Sequence, residues 1–135
     1  MAVTLVLDAC AAIAYLRKEE GWQRLMGKVI EPDAALAMHA VNFCEVYYEF
    51  LRSDGAEAAT QAWDRLRELP IEVVALWDDA FLMRVGEFKV EHKVSLADAF
   101  ALATSRHFGA QLATTDHHEL DALEKDGAAR FFWLR

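Results

Sequence analysis

The sequence predicts an α/β protein in which a mostly parallel sheet is sandwiched between helices. Short apolar runs of strand length alternate with longer stretches of helical spacing, in the order β-α-α-β-α-α-β-α-α-β-α-β. Two of the apolar runs end at an aspartate, where a buried parallel strand would reach the edge of its sheet. We find no repeat, linker or low-complexity segment in the 135 residues, so we expect a single domain over residues 1–135.

Turn and capping signals delimit the elements of the first half of the chain. Gly21 is expected to stop the first helix, Pro32 follows the second, and Ser53-Asp54-Gly55 separates the third from the fourth. The predicted strands span residues 3–7 and 34–38, although five apolar residues at 34–38 do not exclude a helix. The predicted helices span residues 9–17, 22–30, 41–51 and 56–69.

The second half of the chain alternates in the same way. Pro70 precedes the third strand, and Asp78-Asp79 places favourable negative charge at the N-terminus of the next helix. Ser95 starts a further helix, which Gly109 stops. The predicted strands span residues 71–76, 111–115 and 130–134, the last at a sheet edge. The predicted helices span residues 78–92, 95–107 and 120–125.

Composition limits the classes of protein that this chain can belong to. With 22 acidic and 14 basic residues its formal charge is −8, which argues against broad electrostatic binding of nucleic acid. Its apolar runs fall short of the ~20 residues of a membrane span, and a strand begins too early to leave room for a signal peptide. Cys10 and Cys44 form neither a disulfide framework nor a zinc-binding pattern, so we expect a cytoplasmic protein.

Four acidic residues are placed where a metal-dependent nuclease would need them. Two of them end strand-like runs, and two lie in helical stretches that follow separate strands; they are Asp8, Asp116, Glu45 and Asp98. Because ligand sites in open α/β sheets form beyond the carboxyl ends of parallel strands, we expect the four to meet in one crevice. At ~5 Å and an effective dielectric constant of ~20, each pair of carboxylates repels by roughly 3 kcal/mol. A divalent cation would relieve this repulsion, and oxygen ligands favour Mg²⁺ or Mn²⁺ over zinc.

Each of these acids also has an ordinary structural interpretation. Asp8 is well placed to cap the first helix, and Glu45 could lie on a solvated face with Asn42 and Glu49. The segment Ser95-Leu96-Ala97-Asp98 has the spacing of a capping box. For Asp98 the two interpretations are compatible, because a capped helix start would also fix the direction of the carboxylate.

Further polar residues adjoin the predicted ligands. The Thr115 hydroxyl is a candidate for contact with a metal water or the scissile phosphate, and Glu119 for a metal contact through water. His117 and His118 are expected to lie in a loop or face the substrate rather than to bind metal, and Cys44 to be a small core residue. The basic candidates for phosphate contact, each near a glutamate, are Arg17, Lys18, Lys89 and Lys93.

The segments around the four acids resemble the signature segments of PIN-domain ribonucleases, and they occur in the order of that family. The segments are Val6-Leu7-Asp8-Ala9-Cys10-Ala11, Asn42-Phe43-Cys44-Glu45-Val46, Ser95-Leu96-Ala97-Asp98-Ala99 and Ala113-Thr114-Thr115-Asp116. The short chain and the phrase from Gly109 to Asp116 are most similar to the VapC toxins of type II toxin–antitoxin modules. Four segments in order, distributed along the chain, make a specific signal.

The resemblance implies a five-stranded parallel sheet flanked by helices, and endonuclease activity on RNA that depends on Mg²⁺ or Mn²⁺. It also implies homodimers, and inhibition by a small VapB-like antitoxin that lays a segment over the active site in a hetero-oligomer. Catalytic and metal-binding roles transfer to Asp8, Glu45, Asp98 and Asp116. One departure is visible: Cys10 stands where many relatives carry Ser or Thr, which would reduce activity if that hydroxyl orders a metal-bound water.

The expected chemistry is metal-assisted hydrolysis of an RNA phosphodiester, with Asp8 and Asp116 holding the principal ion. Glu45 and Asp98 would complete its shell or hold a second ion, and one of them would help to deprotonate the attacking water. Two alternatives remain open at the level of sequence: a PIN nuclease of RNA processing without a toxin role, and a catalytically silent PIN module that binds RNA or protein. A flavodoxin-like phosphoacceptor domain is a more distant alternative, because it would leave Glu45 and Asp98 unexplained.

Overall fold

The computed structural model describes residues 2–135 and has the predicted α/β/α architecture. Five strands form one sheet in the order β3-β2-β1-β4-β5, and every neighbouring pair is parallel. The strands are β1 (Leu5–Leu7), β2 (Leu36–His39), β3 (Ile71–Val74), β4 (Gln111–Thr114) and β5 (Phe131–Trp133). The helices are α1 (Ala9–Arg17), α2 (Trp22–Val29), α3 (Ala40–Asp54), α4 (Ala56–Arg67), α5 (Asp79–His92), α6 (Leu96–Phe108) and α7 (His117–Lys125).

The sheet separates two hydrophobic cores because its central strands are apolar on both faces. Leu5 and Leu7 of β1 point into the core built with α1, α3 and α4. Val6, between them, points into the opposite core, which includes residues of α5, α6 and α7. All three residues are at most 3% exposed, so β1 is covered on both sides, as expected of a parallel strand between two helical layers.

His39 fixes the start of α3 at the end of β2. Its Nδ1 accepts a hydrogen bond from the Val41 backbone N–H at 3.0 Å, and Nε2 lies 3.2 Å from the Leu76 carbonyl oxygen. The ring is fully buried, stacks on Phe81 and also contacts Phe100 of α6. Burial lowers the pKa of His39, which favours the neutral ring that this hydrogen-bond pattern requires. The imidazole therefore joins β2, α5 and α6 beneath the carboxyl edge of the sheet.

The main corrections to the predicted elements lie at their ends. The first helix stops at Arg17, with Lys18 in the left-handed conformation, and Gly21 instead precedes α2. A Cβ atom on Gly21 would collide with the Leu134 carbonyl group, which explains the glycine by close backbone approach. The third helix continues through Ser53 and Asp54, so only Gly55 separates it from α4. The last helix begins at His117 rather than at Leu120.

Within residues 2–135, none of the helices has the length and apolar character needed to cross a membrane.

Candidate metal centre

Asp8 follows β1 directly and uses one carboxylate oxygen to cap α1. Its Oδ1 accepts a hydrogen bond from the Ala11 backbone N–H at 2.8 Å. The side chain is only 1% exposed, and its second oxygen, Oδ2, is buried without a hydrogen-bond partner among residues 2–135. The structural and functional interpretations of Asp8 therefore concern different atoms, because capping occupies Oδ1 and leaves Oδ2 free for a ligand.

Asp98 lies on the first turn of α6, whose start is fixed by Ser95. The Ser95 hydroxyl accepts a hydrogen bond from the Asp98 backbone N–H at 3.1 Å, which is one half of the predicted capping box. The carboxylate of Glu119, on α7, lies across the crevice with an oxygen within 4.8 Å of an Asp98 oxygen. The serine cap thus sets the direction of the Asp98 side chain.

Asp116 connects β4 to α7 and caps that helix. Its Oδ1 accepts a hydrogen bond from the Glu119 backbone N–H at 3.3 Å, while its own backbone N–H donates to the Thr114 hydroxyl at 3.1 Å. Burial raises the pKa of Asp8, and the nearby Thr114 side chain, itself fully buried, partly offsets this shift. Thr114 therefore lies close to both strand-end aspartates, a place that sequence analysis did not assign to it; the suggested role of Thr115 stays a prediction.

Glu45 reaches the crevice from α3, one turn after Asn42. The Asn42 amide donates a hydrogen bond to the Ala97 carbonyl at 2.9 Å, which joins α3 to the first turn of α6. Burial raises the pKa of Glu45, and the neighbouring Asn42 side chain, itself fully buried, partly offsets this shift. Glu49, one turn further on, pairs with Arg52 at the surface, as expected of a structural residue.

These side chains influence one another across the crevice. We call the four predicted ligands, Asp8, Glu45, Asp98 and Asp116, the acidic cluster. The pKa of Asp8 is raised from 3.8 to about 7, chiefly by burial and in smaller part by the charges of Glu45 and Asp116. Burial also raises the pKa of Asp98, which Glu119 and Asp8 reinforce. Without a cation, the crevice thus disfavours full ionisation of its carboxylates.

The tightest group of acidic side chains contains two members of the acidic cluster and one further residue. Oxygen atoms of Asp98, Asp116 and Glu119 all lie within 4.8 Å of one another. Asp8 and Glu45 lie outside this group. The charge of Asp8 nevertheless raises the pKa of Asp98, and the charge of Glu45 raises the pKa of Asp8. The donor set suits a divalent cation: it consists of carboxylate oxygens, and buried oxygens of Asp8 and Glu119 have no hydrogen-bond partner in the described chain.

Sequence analysis did not place Glu119 beside Asp98 and Asp116; its suggested metal contact through water stays a prediction. The signal was present in the spacing, because an acid three residues after the cap Asp116 falls on the first turn of α7 beside it. His117, in contrast, stacks on Trp133 and hydrogen bonds to Asp121 and to the Arg135 carbonyl group, so it stabilises the C-terminal segment.

The two cysteines differ from their predicted surroundings in opposite ways. Cys44 is exposed and is not the small core residue that the sequence suggested, because the adjacent Phe43 takes the buried position on α3. Cys10 is exposed as well but lies beside the acidic cluster: loss of hydration of the thiolate and the charges of all four carboxylates raise the pKa of its thiol. The thiol is therefore held in its protonated form in the crevice, where a hydroxyl was expected from the resemblance.

Several solved structures have the same fold. The chain matches VapC20 of Mycobacterium tuberculosis, a sarcin-ricin loop cleaving toxin, with a TM-score of 0.71 at 19% identity, over 88% of this chain and 95% of that one. It matches DNA-bound VapBC2 of Rickettsia felis with a TM-score of 0.74 at 12% identity, over 97% and 98%. It matches PAE2754 of Pyrobaculum aerophilum with a TM-score of 0.67 at 20% identity, over 99% and 91%. None of the curated proteins matches significantly.

The fold and the site together define the class of this protein. It is an α/β protein whose parallel sheet carries an acidic crevice, suited to a cation, beyond its central strands. The model of the PIN domain family matches residues 5–125, which is most of the chain. The protein belongs to the PIN-domain family. The resemblance found in its four sequence segments is thereby confirmed.

Proposed function

We propose that this protein is a metal-dependent endoribonuclease and the toxin component of a toxin–antitoxin system. The observation that carries the proposal is the acidic cluster at the carboxyl edge of a PIN fold, with a buried Asp8 oxygen that lacks a hydrogen-bond partner in the described chain. A polar atom with no partner is costly when buried, so its position is best explained by a ligand. The single PIN domain would span residues 1–135.

The acidic cluster would hold Mg²⁺ or Mn²⁺, which carboxylate oxygens bind well. When bound, such a cation supplies Lewis acidity, which lowers the pKa of a water molecule and stabilises negative charge on a phosphate. Asp8, Asp98 and Asp116 would bind the cation. Glu45 lies outside the tightest acidic group and is the candidate to accept the proton of the attacking water.

RNA is the proposed substrate because the PIN family contains ribonucleases and because the crevice offers local rather than broad attraction to phosphate. The net charge of −8 argues against a large positive surface, but the charge of Lys89 acts on Glu119 at the crevice. Lys89 is accordingly the favoured basic candidate for phosphate contact. Arg17 is committed elsewhere, since it pairs with Asp54 and hydrogen bonds to Ser53.

The proposed partners are a VapB-like antitoxin and a second copy of the chain. Among similar structures, those from Rickettsia felis and Salmonella typhimurium are VapBC proteins bound to DNA. An acidic crevice would favour an inhibitor segment that carries Arg or Lys. Large apolar side chains on α5, namely Leu82, Met83 and Val90, are exposed and provide surface for a protein contact.

Two experiments test this function. Total RNA incubated with the purified protein and Mg²⁺ should acquire new, discrete ends, and these should be absent when a chelator is added or when Asp116→Asn replaces the wild type. Expression of the wild type alone should arrest growth, whereas the Asp116→Asn variant should not. RNA that stays intact with Mg²⁺ and Mn²⁺ would favour the silent binding module, and cleavage without growth arrest would favour a nuclease of RNA processing.

A further inference from the structure

Three arginines line two adjoining cavities on the side of the sheet that α5 and α6 cover. Arg84 and Arg106 line a cavity of about 320 Å³ between the two helices. Arg106 also lines a second cavity, of about 350 Å³, together with Arg130, which precedes β5. Because Arg106 borders both cavities, the three side chains follow one another along the surface. We call Arg84, Arg106 and Arg130 the arginine row.

The arginine row carries positive charge that the protein itself does not neutralise. Within residues 2–135, none of its members forms an ion pair, and their one side-chain hydrogen bond runs from Arg130 to the Gly109 carbonyl at 2.6 Å. Other arginines are paired, as Arg52 is with Glu49. Arg84 is half-buried, and a guanidinium is always charged. A charge that is partly removed from water without a partner is disfavoured, so an anion in the cavities would stabilise it.

Helix dipoles explain only one member of the row. Arg106 lies on the last turn of α6, where a cation is favourable because of the helix dipole. Arg84 lies in the middle of α5, and Arg130 lies between α7 and β5. Since neither of these two is at a helix C-terminus, the row is not accounted for by the ordinary placement of basic residues.

Nearby acids leave the path along both cavities open to an anion. Asp78 borders the first cavity, but its carboxylate caps α5 by accepting the Phe81 backbone N–H at 3.4 Å. Glu87 and Glu91 line a third cavity that also borders the row, and they would repel an anion there. The lining of the second cavity, as far as the described chain forms it, contains no acid. An anion would therefore lie along the first two cavities, centred on Arg106.

The furrow suits a sugar–phosphate backbone better than an acidic peptide. A guanidinium is a planar fork that can donate two hydrogen bonds to one phosphate, and the row presents three such groups. Apart from its arginines, the second cavity is lined by small residues, so it gives a backbone close access but offers no pocket for the large apolar anchors on which protein contacts depend. These residues are Ser105, Gly109, Ala110, Gly127, Ala128 and Ala129.

The arginine row lies at a distance from the acidic cluster. Asp98 is on the first turn of α6, and Arg106 is on its last turn. At a rise of ~1.5 Å per residue, these two positions are roughly 12 Å apart along the helix axis. At ~3.4 Å per stacked nucleotide, this length corresponds to about three or four nucleotides. An RNA held at the crevice would thus have to extend beyond the reacting phosphate to reach the row.

We propose that the arginine row binds the sugar–phosphate backbone of RNA at a distance from the bond that is cleaved. The inference rests on the proposed function, since it adds a second contact surface for the same substrate. It makes long or folded RNA a better substrate than a short fragment. Three phosphate contacts are few, so binding would still depend only modestly on salt.

The test is the affinity of the full-length protein for a fluorescent RNA hairpin, measured by anisotropy in EDTA across a salt series. Arg106→Gln should weaken binding about fivefold and reduce the slope of log affinity against log salt by roughly one, because one phosphate contact is lost. Arg106→Lys keeps the charge but not the fork and should recover part of the affinity. Arg67→Gln is the matched control: it removes a last-turn arginine of α4, on the other side of the sheet, and should bind like the wild type.

A second measurement links the row to cleavage. With Mg²⁺ present, Arg106→Gln should raise the KM of an RNA that extends several nucleotides beyond the cleaved bond more than the KM of a fragment too short to reach the row. An equal rise for both RNAs would overturn the inference.

The binding assay also separates the inference from its rivals. Unchanged hairpin affinity in a folded Arg106→Gln variant, an equal loss in Arg67→Gln, or a wild type that binds no hairpin would overturn the inference. So would displacement of the hairpin by polyglutamate at lower concentration than by unlabelled RNA, which would favour an acidic protein partner. RNA that binds through Arg106 but stays intact with Mg²⁺ and Mn²⁺ would support this binding surface and count against the proposed function.

Discussion

Asp8 divides its two carboxylate oxygens between folding and the proposed site. Oδ1 caps α1 through Ala11, and Oδ2 is buried without a partner in the described chain. The sequence allowed both roles to be predicted, because an aspartate between an apolar strand and a helix is typical of a cap and of a strand-end ligand. It could not show that one side chain does both, since that depends on the Ala11 N–H taking only one of the two carboxylate oxygens.

The first prediction concerns Asp8→Asn, which should abolish RNA cleavage and stabilise the metal-free protein. Asparagine keeps the cap but removes the ionisable carboxyl group. The pKa of this group is raised from 3.8 to about 7, chiefly by burial, which corresponds to roughly 4 kcal/mol against the ionised form. Cleavage with Mg²⁺ and the melting temperature in EDTA at pH 8 should be measured together. A lower melting temperature would make Asp8 primarily structural, and retained cleavage would remove it from the centre.

The second prediction follows from the same pKa shift. Below about pH 4, Asp8 is protonated in both the folded and the unfolded chain. As the pH rises towards 7, the unfolded chain loses this proton first, so the contribution of Asp8 to the free energy of unfolding falls. The stability of Asp8→Asn relative to the wild type in EDTA should therefore increase from pH 4 to about 7 and then level off. Urea unfolding across this range measures it, and a difference that does not vary with pH would contradict it.

At the scale of elements, helix starts position three of the four acids, whereas Glu45 lies within α3. Asp8 and Asp116 cap α1 and α7, and Ser95 caps α6 through the Asp98 backbone N–H. The starts of α1 and α6 were predicted correctly, but α7 begins at His117 rather than at the predicted Leu120. The contact that sets α3 against α6 could not be predicted, because the Asn42–Ala97 hydrogen bond joins residues 55 positions apart. The place of Glu119 beside Asp98 could not be predicted for the same reason, since the two acids are distant in sequence.

The third prediction is that Ser95→Ala weakens both the fold and the centre. Loss of the hydroxyl that accepts the Asp98 N–H should cost about 1 kcal/mol of stability. It should also lower Mg²⁺-dependent cleavage, because the carboxylate of Asp98 loses its fixed direction. Ser95→Thr keeps the hydroxyl and should restore both properties. Reduced stability with unchanged cleavage would show that the cap does not position Asp98.

At the scale of the whole molecule, the sheet order brings the two strand-end aspartates together. β1 and β4 are neighbours at the centre of the sheet, so Asp8 and Asp116 leave the same edge side by side. The alternation of strands and helices predicted a parallel sheet but not this strand order, which depends on how both helical layers cover it. The resemblance to PIN-domain ribonucleases implied five parallel strands flanked by helices, which the structure confirms, but it was not used to predict their order.

The fourth prediction concerns the charge of the whole molecule. With a formal charge of −8, the protein should bind arbitrary single-stranded RNA weakly and with a shallow salt dependence, because few phosphates are contacted. An antitoxin segment that carries Arg or Lys into the acidic cluster should bind far more tightly, since such pairs are charge-assisted and shielded from water. Titrations of both ligands across a salt series measure the contrast. Tight, steeply salt-dependent binding of arbitrary RNA would contradict it.

The central claim is that the acidic cluster and Glu119 face one cation site at the carboxyl edge of the sheet. A crystal grown with Mn²⁺ tests this most directly, through the anomalous difference map at the manganese edge. We predict a peak between Asp98, Asp116 and Glu119, within coordination distance of their oxygens, that is absent from crystals of Asp98→Asn. A fully occupied Mn²⁺ peak elsewhere on the molecule, with none in this crevice, would contradict the account.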